Sequence, residues 1–293
     1  MYKILKKEYL APSICLMDVY APRLAASAKP GQFLIVKAGP KSERIPLTIC
    51  DYSAEEGTVT IVTQEVGAST RNICAYEVGD SFEAVVGPLG LPSEFIHLSK
   101  EELSGMHFLF VAGGLGTAPV YPQVKYFHEA GAKVDVIIGA RNKDMVIMEE
   151  QMSKVCDSLY VCTDDGSKGI KGLVTDVIDQ LVQSGKKYSQ VVAIGPMIMM
   201  KFVTLKSAEH SLPIVVSLNT LMVDGTGMCG ACRVTVGGRT RFTCVDGPEF
   251  DAFEVDFDEA MRRQGMYRSL EERANAIAAE RAAGHKCRIG LDK

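Results

Sequence analysis

Residues 107–123 read HFLFVAGGLGTAPVYPQ, an apolar run followed at once by a glycine-rich turn and the start of a helix-like segment. Four more apolar runs lie further along the chain, in residues 133–141, 158–166, 190–196 and 213–219, with helical periodicity in segments such as 145–155 and 173–185. Strands that alternate with helices form a parallel sheet with helices on both faces. This half of the chain is therefore predicted to be a doubly wound α/β domain.

The first hundred residues have a different rhythm. Six short runs rich in Val, Ile and Phe are separated by Pro, Gly and Ser turns, which is the pattern of a small β-sandwich or barrel. One helical stretch, at about 69–78, interrupts them. The polar segment 97–106 is expected to be a short helix or linker at the boundary.

The sharpest chemical signal is DGTGMCGACRVTVGGRTRFTC, residues 224–244. Its spacing is that of the plant-type [2Fe-2S] ligand run, C-x4-C-x2-C with a distant fourth Cys, except that Asp224 stands where the first thiolate belongs. Cys229, Cys232 and Cys244 supply the other positions. Thiolates select zinc or iron–sulfur, so a Cys3Asp zinc site, or a buried cysteine pair with a stray third, is the alternative.

The glycine turn at 113–116 can bind a phosphate. Backbone N–H groups and the positive end of a helix dipole attract a pyrophosphate, although a tight strand-to-helix turn without a ligand would read the same way. The loops at 163–169 and 194–202 also follow strands, so they are expected at the same carboxyl edge of the sheet. ERIPLTICDYS at 43–53 and VGAST at 66–70 could hold a flavin and its phosphates, or be a strand with a solvated Arg and an ordinary helix start.

Composition narrows the function classes. The chain has 293 residues and a net charge of −4 without a basic block, which gives no footprint for nucleic acid or an anionic membrane. No stretch approaches the roughly 20 apolar residues of a membrane span, so a cytoplasmic protein is expected. Cysteines outside the cluster run are expected to be small buried residues, except Cys287 in a charged tail, and the five His form no cluster.

Several motifs resemble the ferredoxin–NADP reductase superfamily in order and spacing: KPGQF at 29–33, RIPLT at 44–48, GAST at 67–70, GPLG at 87–90, GGLGTAP at 113–119 and GP at 195–196. They are similar, more narrowly, to the electron-transfer subunit of bacterial dihydroorotate dehydrogenase. Residues 164–177, 196–203, 222–236 and 244–259 resemble even more the small (alpha) subunits of NADH-dependent reduced ferredoxin:NADP oxidoreductase, also called sulfide dehydrogenase beta subunits, in which an Asp and three Cys ligate the cluster.

The resemblance implies a fold and a set of cofactors. It implies a six-stranded Greek-key barrel that binds FAD over residues 1–100, a parallel-sheet domain that binds NAD over 101–218, and a small [2Fe-2S] module over 219–250. Residues 251–293 would be a C-terminal extension, in which the acidic and hydrophobic segment 250–261 could dock a partner or simply form a capping helix.

Site residues carry over position by position. The flavin ring would contact Arg44, Pro46, Leu47 and Thr48, and its pyrophosphate Gly67, Ser69 and Thr70. The NAD phosphates would contact Gly113, Gly114, Gly116 and Thr117, and its ribose or nicotinamide Asp164, Asp165, Gly195 and Pro196. The cluster ligands would be Asp224, Cys229, Cys232 and Cys244. Met197, Met199 and Met200 follow the GP loop, where plant-type reductases have an aromatic residue that covers the flavin.

The function follows from these parts. NADH gives two electrons as a hydride and the cluster takes one at a time, so FAD belongs between them and no catalytic acid or base is required. The implied partner is a larger flavoprotein with [4Fe-4S] clusters, like the small subunit of glutamate synthase, in a complex that bifurcates electrons between NAD, NADP and ferredoxin. The alternatives are a dihydroorotate dehydrogenase electron-transfer subunit, a self-contained reductase and a zinc-stapled nucleotide-binding regulator.

Overall fold

The computed structural model describes residues 2–282, which contain two seven-stranded sheets and one two-stranded hairpin. The first sheet is antiparallel, as the alternating runs of the first hundred residues predict. Its strands are β1 Tyr2–Ala11, β2 Ile14–Tyr20, β3 Phe33–Lys37, β4 Arg44–Ser53, β5 Thr58–Gln64, β6 Ser81–Phe82 and β7 Ala84–Leu89.

This sheet curls into a nearly closed barrel. Its strand order is β6-β1-β2-β5-β4-β3-β7, so β6 and β7 lie at opposite ends although only Glu83 separates them in the chain. β6 pairs with β1 and β7 pairs with β3, which brings the two ends of the sheet together. The predicted barrel is confirmed, but the sixth predicted run, 81–87, is divided into two strands.

The helices of the barrel half differ in detail from the sequence prediction. α2 spans Ala68–Cys74 and is shorter than the predicted stretch 69–78. A one-turn helix, α1 at Pro22–Ala25, was not predicted. In the boundary segment, α3 spans Lys100–Ser104 and begins with a capping box in which Ser99 Oγ accepts from the Glu102 amide.

The second sheet is parallel apart from its last strand. Its order is β11-β10-β9-β8-β12-β13-β16, and β16 joins β13 in the antiparallel sense. The strands are β8 His107–Gly113, β9 Lys133–Ala140, β10 Ser158–Thr163, β11 Ile170–Lys171, β12 Gln190–Ile194, β13 Ile214–Ser217 and β16 Glu249–Asp251. The order reverses between β9 and β12 on either side of β8, which is the switch point where open α/β sheets bind ligands.

Helices cover both faces of this sheet, as predicted. On one face, Phe108 and Phe110 of β8 pack against α4, Thr117–Glu129, where the Phe127 ring stacks on Phe108 with 4.9 Å between centroids. On the other face, Leu109 and Val111 pack against α6, Val174–Gln183, and α7, Met197–Glu209. The alternation along one strand therefore supplies both hydrophobic layers.

Two helix predictions in this half need correction. The segment 145–155 contains only α5, Glu149–Ser153, because the chain turns at Met148, whose φ of 55° is left-handed. The segment 194–202, predicted as a loop, becomes helix α7 from Met197 onward, directly after Pro196.

The last elements that the structure describes are a hairpin near the cysteines and three helices. β14 Arg233–Val236 and β15 Arg239–Phe242 form the hairpin, and α8 Thr243–Asp246, α9 Phe257–Gln264 and α10 Arg268–Ala282 follow. The predicted end of the last helix at Gly284, and His285 and Cys287, lie outside the described residues. Within residues 2–282, none of the helices has the length and apolar composition needed to cross a membrane.

Candidate functional site: a cysteine loop, a barrel wall and a sheet edge

The loop that carries the predicted cluster ligands depends on glycine. Gly225, Gly227 and Gly230 have φ values of 74°, 84° and 66°, in the left-handed region that favours glycine. These turns curl residues 224–232 back on themselves before the hairpin begins at Arg233. The hairpin and α8 then return the chain, so that Cys244 lies beside Cys232 although eleven residues separate them in the sequence.

The four candidate ligands meet in two pairs. The Sγ atoms of Cys232 and Cys244 are 3.2 Å apart and buried. The carboxylate of Asp224 accepts a hydrogen bond of 2.6 Å from the amide of Thr226, and the exposed Cys229 lies close enough to lower the pKa of this carboxylate. A binuclear cluster takes its four protein ligands two to each iron. The pairing therefore fits the [2Fe-2S] prediction.

The electrostatics of the loop fit a metal centre. Burial, together with the neighbouring Cys232 thiol, raises the pKa of Cys244 to about 12, so the metal-free Cys244 thiol holds its proton and a cluster would displace it. The hydrogen bond from the Thr226 amide and the proximity of Cys229 lower the pKa of Asp224, which keeps this ligand ionised. Within residues 2–282, no three His, Cys, Asp or Glu side chains converge on a single ion position.

The cysteine loop is seated directly on the barrel. Cys232 and Cys244 belong to one buried cluster with Phe33 and Ile35 of β3, against which Leu89, Met222 and Phe242 also pack. A Cβ on Gly225 would lie 2.6 Å from Ile35 Cδ1, so the loop approaches this strand as closely as glycine permits. The sequence contained no clear signal for this contact, because alternating apolar residues are expected on any barrel strand.

The predicted flavin-ring residues lie on the neighbouring strand. Thr48 and Pro46 of β4 pair with Phe33 and Ile35, and directly opposed residues of an antiparallel pair share a face of the sheet. Arg44, Pro46 and Thr48 therefore form an outward row beside the cysteine module. Leu47 differs, because its side chain is buried in the barrel core on the opposite face. Leu47 can contribute to a flavin wall only through its backbone.

The second predicted flavin segment comes close to the first. Ser69 at the start of α2 donates a hydrogen bond to Glu43, the residue before Arg44. Thr70 Oγ1 accepts from the Gly67 amide at 3.0 Å and closes the first turn of the helix. The structure thus brings 43–48 and 67–70 together on one side of the barrel.

The predicted nucleotide residues meet at the switch point of the parallel sheet. A Cβ on Gly116 would lie 2.2 Å from the carbonyl oxygen of Ile194, and one on Gly113 would lie 2.4 Å from Met199 Sδ. Gly195 is also close to its neighbours, because its Cβ would be 2.7 Å from Met199 Cε and 3.0 Å from Gly113 Cα. Gly114 has a left-handed φ of 53°, and Thr117 Oγ1 donates to its carbonyl at 2.9 Å. The two predicted loops therefore form one bare backbone surface.

Other predicted residues take separate positions on this edge. Asp164 and Asp165 follow β10, which lies two strands from β8, about 10 Å away at the usual strand spacing. Asp165 accepts hydrogen bonds from the amide and hydroxyl of Ser167, which lower its pKa. Of the three methionines after Pro196, Met199 lies against the glycines, whereas Met197 and Met200 are buried in the core.

The remaining His and Cys residues behave mostly as expected. His107 lies 3.3 Å from the Asp135 carboxylate, and His210 lies 2.6 Å from Asp179, each as part of a polar network and not of a His cluster. Four of the five cysteines predicted to be buried are buried, namely Cys15, Cys50, Cys74 and Cys162. The fifth, Cys156, is half-buried.

Comparisons with known proteins agree with this geometry. Residues 219–256 match the family described as the iron–sulfur cluster binding domain of dihydroorotate dehydrogenase B, and residues 110–204 match the oxidoreductase NAD-binding domain. The chain is 58% identical over 281 residues to an uncharacterized protein in the adh 3′ region of Clostridium beijerinckii, covering 96% of this chain and 95% of that protein. A Thermotoga maritima homologue of the dihydroorotate dehydrogenase B (NAD+) electron transfer subunit is 46% identical, with 92% and 93% covered.

Among solved structures, a chain from the structure of NADH-dependent reduced ferredoxin-NADP oxidoreductase superposes with a TM-score of 0.88. It is 44% identical, and the alignment covers 97% of this chain and 98% of that one. A nearly closed barrel, a parallel NAD-binding sheet and an iron–sulfur module define an electron-transferring oxidoreductase of the ferredoxin–NADP reductase type. Within that class, the chain belongs to the family of dihydroorotate dehydrogenase B electron-transfer subunits and their homologues.

Proposed function

We propose that this chain is a FAD- and [2Fe-2S]-containing subunit that moves electrons between NAD(H) and a partner flavoprotein. The observation that carries the proposal is the place of β3. Phe33 and Ile35 contact Cys232 and Cys244, and their cross-strand partners belong to the flavin wall. One strand spacing, about 4.8 Å, thus separates the strand that contacts the cysteines from the strand that carries the proposed flavin-ring residues.

The cofactors divide the chemistry. A flavin accepts a hydride from NADH and passes electrons on singly, which links a two-electron donor to a one-electron cluster. The protein binds and orients the cofactors and excludes water from them. None of its side chains needs to act as an acid or base. We therefore propose the site residues as residues that bind FAD, NAD or the cluster, and not as catalytic acids or bases.

The residues of the barrel wall hold FAD: Arg44, Pro46 and Thr48 by side chain, Leu47 by backbone, and Gly67, Ser69 and Thr70 at the pyrophosphate. The residues of the switch point hold NAD phosphates: Gly113, Gly114, Gly116 and Thr117. Asp164, Asp165, Gly195 and Pro196 would lie near the ribose or the nicotinamide of NAD. Asp224, Cys229, Cys232 and Cys244 ligate the cluster, two to each iron.

The domain limits follow the same division. Residues 1–100 form the FAD domain, 101–218 the NAD domain, 219–250 the cluster module and 251–293 the extension. If β6 and β7 are counted as one strand interrupted at Glu83, the barrel is the six-stranded Greek key of this superfamily. The pairing of β16 with β13 ties the cluster module to the NAD domain.

A larger partner subunit completes the enzyme. The Thermotoga homologue is named as an electron transfer subunit, and the similar solved chain comes from an electron-bifurcating enzyme that works with NADH, ferredoxin and NADP. The Asp224 ligand favours the second kind of enzyme, whose partner would be a [4Fe-4S] flavoprotein like the small subunit of glutamate synthase. The second candidate, suggested by the family name, is a dihydroorotate dehydrogenase, whose partner would oxidise dihydroorotate.

One preparation tests both levels of the proposal. The chain is purified anaerobically with whatever binds it, and FAD, iron, visible and EPR spectra and the mass of the native complex are measured. We expect about one FAD and about two iron atoms per chain, with a rhombic EPR signal after reduction by NADH. A colourless protein that contains zinc would contradict the cofactor proposal. A partner that forms orotate, with the cofactors present, would contradict only the choice of enzyme.

A further inference from the structure

Three polar atoms without hydrogen-bond partners lie at one buried junction: Ser93 Oγ, Gln123 Oε1 and Glu249 Oε2. The side chains of Ser93 and Gln123 are fully buried. Gln123 Nε2 donates to Glu249 Oε1 at 2.6 Å, which leaves the other carboxylate oxygen unpaired. The stem of Glu249 reaches the wall of an open cleft, but Oε2 itself has no contact with solvent. Unpaired buried polar atoms are costly, so three at one place indicate a missing hydrogen or ligand.

The junction joins the three parts of the molecule. Gln123 belongs to α4, Ser93 follows the barrel, and Glu249 begins β16 five residues after Cys244. A Cβ on Gly31 would lie 2.9 Å from the Ser93 amide and 3.3 Å from Glu249 Oε1, so the barrel backbone closes one side. Glu249 is therefore placed to fasten the segment that follows the last cysteine to both domains.

Backbone hydrogen bonds continue this attachment on either side of Glu249. The amide of Leu91 donates to Gly247 at 2.7 Å, and that of Leu218 donates to Pro248 at 2.9 Å. Both bonds depend on the position of residues 247–249. Hydrogen exchange at the Leu91 and Leu218 amides therefore reports whether residues 247–249 are attached to the rest of the protein.

The charges around the carboxyl favour its neutral form. Burial raises the pKa of Glu249 to about 7. The hydrogen bond from Gln123 and the nearby hydroxyl of Ser93 partly oppose this rise, and the negative charge of Glu94 adds to it. The charged residues that line the cleft on the other side of Glu249 form no ion pair with it among the described residues: Arg239, Arg241, Asp246, Asp251 and Glu254.

We propose that Ser93, Gln123 and Glu249 form a proton-binding site, and that one bound proton fastens the cluster-bearing segment to helix α4 and the barrel. The added O–H of Glu249 can donate to the unpaired oxygen of Gln123 or Ser93, whereas the ionised carboxylate has no hydrogen to donate to either of them. The proton comes from water and returns to it, so no other reactant is needed. The site itself rests only on these side chains, and only its link to a cluster rests on the proposed function.

Infrared spectroscopy of the purified full-length chain between pH 5 and pH 9 tests the site directly. We expect a protonated-carboxyl band that disappears with a midpoint near pH 7 in the wild type, is absent from Glu249→Gln, and is unchanged in Glu254→Gln, a matched control on the same cleft. A midpoint below pH 5, or a neutral-pH band that persists in Glu249→Gln, would overturn the assignment.

Hydrogen exchange tests the fastening. After correction for intrinsic rates, protection of the Leu91 and Leu218 amides should fall about tenfold from pH 6 to pH 8 in the wild type, because the opened segment releases the carboxyl to a pKa near its ordinary value. Protection should be independent of pH in Glu249→Gln. Equal protection at both pH values in the wild type would refute the fastening role. These readouts need no cofactor, so they can succeed when the cofactor proposal fails.

Discussion

Gly116 lies so close to Ile194 that a Cβ on the glycine would be 2.2 Å from the carbonyl oxygen of Ile194. We predict that Gly116→Ala pushes the start of α4 away from the end of β12 and widens the proposed phosphate surface. Overpacking of this kind costs about 1–3 kcal/mol. NADH affinity should fall by about 5-fold to 140-fold, since 1.4 kcal/mol corresponds to a factor of ten. Fluorescence titration with NADH measures the change.

The control for this variant is Gly105→Ala. Gly105 ends α3 with ordinary backbone angles, and the nearest atom to its Cβ would be 3.5 Å away. NADH affinity should be unchanged there. Equal affinity in Gly116→Ala and the wild type would exclude the glycine edge as the phosphate site.

Two neighbouring residues of β3 face opposite sides of the strand, one toward the cysteines and the other toward the barrel core. Ile35 packs against Cys232 and Cys244, whereas Val36 faces the barrel interior. Ile35→Ala should lower the free energy of unfolding by about 2–4 kcal/mol and broaden or shift the EPR signal of the reduced cluster, because its support is lost.

Val36→Ala serves as the matched variant on the opposite face of the strand. It should cost about 2 kcal/mol by removing core contacts, yet leave the EPR signal unchanged. Thermal unfolding and EPR of both variants check this. An unaltered cluster signal in Ile35→Ala would contradict the proposed seat of the module on β3.

Variants of the two buried cysteines Cys244 and Cys162 distinguish loss of a cluster ligand from loss of core packing. Cys244→Ala should remove most of the iron, because one iron then keeps a single protein ligand. Cys162→Ala deletes an equally buried sulfur that lies on β10 in the α/β core. It should lose some stability but retain full iron content. Iron analysis and visible absorption decide, and a fully loaded Cys244→Ala protein would remove Cys244 from the ligand set.

Local patterns were sufficient to predict much of the architecture. Apolar runs that alternate with helical segments indicated the parallel sheet. The spacing of Cys229, Cys232 and Cys244 indicated the ligands of one metal cluster. Both signals are local, since a strand, a glycine turn or a ligand run is specified by consecutive residues. The resemblance then supplied what these patterns left open, including the flavin.

Contacts between distant segments could not be predicted in the same way. The seat of the cysteines on Phe33 and Ile35 depends on which barrel strand faces the module, and Leu47 entered the core because side chains alternate along β4. Glu249 read as one acid in an acidic stretch until the fold placed it beside Gln123. Helix α7 was missed because Pro196 fits a helix start as well as a loop.

Asp135 is the centre of a polar network at the edge of the parallel sheet opposite the proposed nucleotide site. Its buried carboxylate is 2.5 Å from Lys186 Nζ and accepts from Tyr188 at 2.9 Å. Burial raises the pKa of Asp135, but these hydrogen bonds and the charges of Lys186 and His107 outweigh it, so the net pKa is lowered. The ionised form is therefore stabilised by folding. Its contribution is present above the unfolded pKa of about 4 and is lost as pH falls through the lower folded value.

Asp135→Asn should consequently lower the free energy of unfolding at pH 7 by about 2–3 kcal/mol, less than for a fully buried pair because Lys186 is partly exposed. The gap between variant and wild type should narrow as pH falls from about 5 to 3, since Asp135 in the unfolded wild-type chain then takes up a proton that the folded chain, with its lower pKa, does not. Asp144→Asn, at an exposed site, should track the wild type at every pH. Urea unfolding at several pH values measures the gap, and a constant gap down to pH 3 would mean that Asp135 contributes by packing and not by charge.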